Sequence, residues 1–177
     1  MNRDNIIYDH NVVEFAQVGV QFCALLEQCA QLQKAELTDQ LTKLMPLMYL
    51  KALLLPKVES QGDFLPDGQV TEDDYNYVRN SLYAIIGKDD EYLDFCYDRD
   101  GETDESQWKS LSEGLADIYQ PVRNFLATYQ TGVELNIEDA LWKLQDEFEL
   151  YWGQTLVDSL RQLHRLKMNN EDITDEI

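Results

Sequence analysis

The chain has 177 residues, with 34 acids against 14 bases and a formal net charge of −20. Apolar residues make up 44% and aromatics 11%, enough for one packed core and too much for a globally disordered chain. So acidic a chain has no default attraction for nucleic acid or anionic lipid, because both are bound through lysine and arginine.

Apolar residues recur at helical spacing almost throughout. The first segment, 11–33, carries Val12, Phe15, Ala16, Gly19, Phe22, Cys23, Leu26 and Ala30 on one stripe, widened by Val13, Val18, Val20 and Leu25. A helix that apolar belongs at the centre of a fold. The second, 38–55, buries Leu41, Leu44, Met45, Met48, Ala52 and Leu55, with Thr38 or Asp39 as its cap. Pro46 lies inside it and should kink or split it. Gly62, Pro66 and Gly68 make 57–70 a loop. Thr71, with Asp74 three residues on, approximates a capping box for a third helix. That helix uses Tyr75, Val78, Leu82, Ile85 and Ile86 and stops near Gly87.

A short fourth helix is expected over 89–97, presenting Tyr92, Leu93 and Cys96. Residues 98–107 have almost no apolar character and read as an acidic loop. A fifth helix follows over 110–129, interrupted by Pro121. The last runs from an Asn136 cap to Lys167, a rod of roughly 45 Å, with Ile137, Leu141, Leu144, Phe148, Tyr151, Trp152, Thr155, Ser159, Leu163 and Leu166 on one face. Residues 168–177 read as an acidic tail. The expected architecture is an all-α, single-domain bundle of about six helices with a long C-terminal helix. Its domain spans 1–177, with a folded core over 8–167.

Cys23, Cys29 and Cys96 are too few and too odd in number for a disulfide framework, so they read as reduced, buried thiols of a cytosolic protein. Residues 1–8 are polar with no hydrophobic signal core. The most apolar stretch, 44–55, is much shorter than the roughly 20 residues of a membrane span.

Chemical signatures are sparse. His10 and His164 are the only histidines, and neither stands three residues after a glutamate, so the di-iron bundle motif is absent. No zinc, phosphate-loop, dinucleotide or nucleophile-elbow motif occurs. A cysteine–histidine nucleophile pair is disfavoured, since the cysteines read as core and His164 as surface. An EF-hand reading of the loop from Asp98 places Asp100 and Glu102 suitably, but Gly101 stands at the fourth position rather than the sixth, and no carboxylate closes the loop. No catalytic residue, cofactor or metal is expected.

The acids are uneven. Residues 59–105 hold 15 acids and three bases. Part of this is helix chemistry, since acids in a first turn complement the macrodipole. The remainder is a candidate docking surface for a basic protein partner: Glu72, Asp73, Asp74, Asp89, Asp90, Glu91, Asp98 and Asp100. A second candidate is a groove formed by Asp117, Tyr119, Trp152, Gln154 and Arg161, with Asp117 paired to Arg161 or Lys51. Gly153 inside its helix indicates another helix in close approach.

Five stretches carry a family resemblance: Phe22-Cys23, the run 46–52 (PLMYLKA) closing at Leu55-Pro56, Val70-Thr71-Glu72, the run 115–120 (LADIYQ) and the run 151–157 (YWGQTLV). Together they resemble a Bacteroidetes family of about this chain length, domain of unknown function 5063, from Tyr8 to His164. Pro121 departs from its pattern. The resemblance implies an all-helical cytosolic domain and no activity. The function expected is therefore a non-enzymatic protein-interaction module with an acidic surface. The alternative is a ligand-binding or enzymatic bundle with a pocket near Trp152 and Asp117.

Overall fold

The computed structural model describes residues 6–60, 68–97 and 104–174. Its helices are α1 (His10–Glu27), α2 (Lys34–Leu53), α3 (Glu72–Ile86), α4 (Leu111–Tyr129), α5 (Glu134–Glu147) and α6 (Gly153–Thr174). A π turn, Phe148–Trp152, joins α5 to α6, so the last two run on as one long helix. A hairpin of β1 (Glu91–Tyr97) and β2 (Asp104–Ser110) separates α3 from α4. The fold is all-α apart from this hairpin.

The central helix is α1, as its all-round apolar character requires. Phe15, Phe22 and Leu26 are fully buried, and α1 touches α2, α3 and α4. It ends at Glu27, earlier than the expected 33, and a 3₁₀ turn over Cys29–Gln31 reverses the chain while keeping Cys29 in the core. Apolar periodicity runs through that turn, which is why the helix read as longer.

α2 starts at Lys34, before the expected cap. Thr38 is not a cap: its hydroxyl donates back to the Lys34 carbonyl at 2.7 Å. Gln33 makes no side-chain cap. The start is held by a distant element instead. The Lys34 ammonium donates to the Ile86 carbonyl at 3.0 Å and pairs with Asp89, placing a cation at the C-terminal end of α3, where the helix dipole favours one. Pro46 does not split α2; it lies inside the helix on an exposed face. Pro121 likewise lies within α4, buried. The capping box at Thr71 and Asp74 is formed in both directions, and α3 ends at Gly87.

The expected helix over 89–97 is a strand instead, and 104–107, expected as loop, belongs to its partner strand. Tyr92 and Asp94 face inward and Leu93 outward, opposite Trp108. An aspartate at an inward position breaks the apolar alternation that marks a strand. Asp94 is buried because Arg161 and Lys109 both pair with it. Residues 98–103 lie outside the described residues.

The last helix begins at Glu134, not Asn136, with Val133 rather than a polar residue at its cap. It continues to Thr174, through most of the stretch expected as tail; 175–177 lie outside the described residues.

Gly114 marks the tightest approach between α4 and α6. A Cβ there would sit 2.8 Å from Ser159 Oγ. Gly114→Ala is expected to destabilise the fold by about 1–3 kcal/mol in urea unfolding, and Ser159→Ala in the same chain should recover part of that loss. Equal stability of Gly114→Ala and the unaltered chain would remove the close contact from the account.

Candidate functional site

The five residues of the sequence-predicted groove are not brought together. Trp152 is fully buried and its indole Nε1–H donates to the Leu144 carbonyl at 3.0 Å, so nothing in solvent can stack on it. Gln154 bonds Asp158 on its own helix. Arg161 pairs with Asp94 under the hairpin, and Lys51 with Glu14. Neither reaches Asp117, which accepts from the Tyr75 hydroxyl at 2.7 Å. Tyr119 is buried and donates to Glu27 at 2.9 Å, and Arg123 Nε donates to the same oxygen at 3.2 Å. Gly153 does accommodate a close approach, but not of another helix. A Cβ there would lie 2.7 Å from the Phe148 carbonyl and 2.9 Å from the Phe148 ring, inside the π turn.

The acidic set divides in the same way. Asp90 is 1% exposed and is a structural anchor, not a docking residue. Its carboxylate accepts from the Ser110 hydroxyl and the Ser112 N–H, both at 2.7 Å, while its carbonyl accepts from Leu111 N–H. These three bonds tie the entry of the hairpin to its exit and fix the start of α4. Asp74 is the capping-box acceptor, and Asp89 holds Lys34. Glu72, Asp73 and Glu91 are exposed. Asp98 and Asp100 lie outside the described residues.

Asp117 sits in a half-buried seam among α3, α4 and the π turn. Burial is the larger effect and raises its pKa, partly offset by the Tyr75 hydrogen bond, and Glu113 raises it further. Burial also raises Glu147, and pushes Tyr151 up to about 12 with help from the Glu147 and Asp117 charges. Burial raises the Cys23 pKa, which disfavours its thiolate. Cys29 is also buried; the Cys96 side chain lies outside those described. Among the described residues, no group of three or more His, Cys, Asp or Glu is placed to hold a metal ion, and no helix is long and apolar enough to cross a membrane.

Sequence reading missed a different feature. On α2 and its C-terminal cap, Leu47, Leu50 and Leu54 recur at helical spacing on the side away from the core, with Leu53 beside them. Leu50 is 50% exposed, Leu53 58% and Leu54 46%. The C-terminal turn of α2 opens into a groove of about 340 Å³ whose apolar wall includes Leu53, Val58, Trp142 and Phe148. Asp146 and Glu149 stand on its rim together with Lys57. Leu150, 73% exposed, adjoins it in sequence on the π turn. The signal was present in the sequence: α2 is apolar on two sides, and a bundle edge covers only one.

A carboxyl whose folded pKa lies above its unfolded value favours folding below the unfolded pKa, and that contribution is lost as pH rises through the folded pKa. Asp117 starts from an ordinary value of 3.8 and is raised. Asp117→Asn keeps an acceptor for Tyr75. Its stability relative to the unaltered chain should therefore increase as pH rises through the acid range, in urea unfolding at matched ionic strength. A difference independent of pH would show that Asp117 titrates as in the unfolded chain.

A crystal structure of protein BF1032 from Bacteroides fragilis is similar to this chain, with 38% identity, a TM-score of 0.81, and coverage of 92% of this chain and 95% of that one. No curated protein matches. A family model described as a domain of unknown function, DUF5063, matches residues 6–169. The match spans the helices, the hairpin and the groove, and the chain belongs to that family.

Proposed function

We propose that this chain is a non-enzymatic, cytosolic protein-interaction module whose docking face is the outer side of α2 and the groove beside the π turn, and whose partner presents a basic amphipathic helix. One observation carries the reading. Leu47, Leu50, Leu53 and Leu54 form an exposed apolar face that runs into a groove whose charged lining is two acids, Asp146 and Glu149, against one base, Lys57. A partner helix with leucine-like residues on one side would fill such a face, and its flanking lysines or arginines would meet the rim. The net charge of −20 supports a basic partner over an acidic or neutral one. Exposed Glu72, Asp73 and Glu91 contribute to long-range attraction rather than to contact.

The test uses a fluorescently labelled leucine–lysine peptide of helical periodicity, titrated by anisotropy against the full chain. Binding should weaken as salt rises, because its electrostatic part is screened. Leu50→Glu with Leu54→Glu should weaken it at least about tenfold, a loss of roughly 1.4 kcal/mol, with the helical circular dichroism unchanged. Peptide binding unaffected by the double substitution would overturn the assignment of the face. A concentration-dependent dimer in sedimentation that the same substitution abolishes would give the face to a second copy instead.

A further inference from the structure

A second cavity, sharing no residue with the groove, lies where α1, α3 and α4 meet. We infer that it binds a free α-amino acid with an apolar side chain. Its volume is about 340 Å³, within the range of small-molecule sites. Glu27, Asp74 and Arg123 line it with Val70, Val78 and Ala127.

The polar atoms divide into used and open ones. Arg123 Nε is committed to Glu27 Oε1, which also receives the Tyr119 hydroxyl. The two terminal guanidinium nitrogens make no hydrogen bond among the described residues and are free to donate to a carboxylate as a pair. Asp74 Oδ2 takes both the N–H and the hydroxyl of Thr71, leaving Oδ1 with no partner among the described residues. Glu27 Oε2 likewise has no partner among the described residues. One cation and two anions therefore line the cavity. That balance disfavours a phosphate or a dicarboxylate and suits a ligand carrying an ammonium beside its carboxylate. Val70, Val78 and Ala127 supply the apolar wall for the side chain.

Two sets of hydrogen bonds fix parts of the cavity wall. Asn124 Oδ1 accepts from the Gln69 and Val70 N–H groups, both at 2.8 Å, holding that strand of chain against α4. Asp74 is fixed by the capping box. Its carboxyl is kept below the ordinary range chiefly by the Thr71 hydrogen bonds, with a smaller contribution from the Arg123 charge. The cavity also joins stretches that stand far apart in sequence. Tyr119 of the 115–120 run and Val70 both line it.

The test is isothermal titration of the full chain with leucine, valine, methionine and phenylalanine, alongside N-acetyl-leucine and leucinamide. At least one free amino acid should bind at millimolar concentration or below. Blocking either the amine or the carboxyl should weaken binding about tenfold or more, the loss of one charge-assisted contact. Arg123→Gln and Asp74→Asn should each weaken it similarly; Asn keeps the oxygen that Thr71 needs. No binding by any of the four, or equal binding by the blocked forms, overturns the inference. The blocked ligands probe the unaltered chain, so the result stands even if a variant fails to fold.

Discussion

The π turn at Phe148–Trp152 is the constraint on which the architecture depends. One continuous helix, 134–174, has to bury two faces that do not line up. Its first half packs Ile137, Ala140, Leu141 and Leu144 inward; its second half packs Leu156, Ser159 and Leu163. A regular helix keeps one face, whereas an inserted residue rotates the second half relative to the first. Trp152 falls in the turn, fully buried, and ties it back through Nε1 to the Leu144 carbonyl. Its ring stands edge-on to Phe148 at 4.5 Å, and Phe148 meets Tyr49 of α2 at 5.4 Å. Gly153 lets its own backbone N–H reach the Phe148 carbonyl where no other residue would fit. Because the turn pushes Phe148 and Glu149 towards α2, it also forms one wall of the groove.

Electrostatics follow a similar division of labour. Asp90 and Asp94 are buried, and each carries enough partners to offset its desolvation. Asp90 closes the hairpin onto α4. Asp94 docks it onto α6 through Arg161, and Lys109 extends that link to Asp158 at 2.8 Å. Several acids that look like surface decoration in the sequence are therefore structural.

The helices were legible where burial and periodicity agree: α1 through Phe15 and Phe22, α3 through its Thr71 cap and Gly87 stop, and α4 through Leu111 to Tyr129. They were not legible where tertiary contacts decide. The start of α2 depends on Lys34 reaching the end of α3. The hairpin depends on pairing Leu93 with Trp108 and on burying Asp94 against two cations, neither of which leaves a local pattern. The predicted groove failed because its members have other partners that periodicity does not reveal: Trp152 turns back to the Leu144 carbonyl, Gln154 bonds Asp158, Arg161 pairs with Asp94, and Asp117 accepts from Tyr75. The exposed leucines of α2 could have been seen, since Leu47, Leu50 and Leu54 fall opposite Met45 and Met48.

The most direct measurement is an NMR titration of the isotope-labelled chain with the leucine–lysine peptide. The account predicts that amide shifts will concentrate in the C-terminal half of α2, from Leu47 to Leu55, and in the π turn from Phe148 to Tyr151. The exposed acids at the start of α3, Glu72 and Asp73, should move little. Shifts centred on α3, or no saturable shift at all, would contradict the claim that the apolar face is the docking surface.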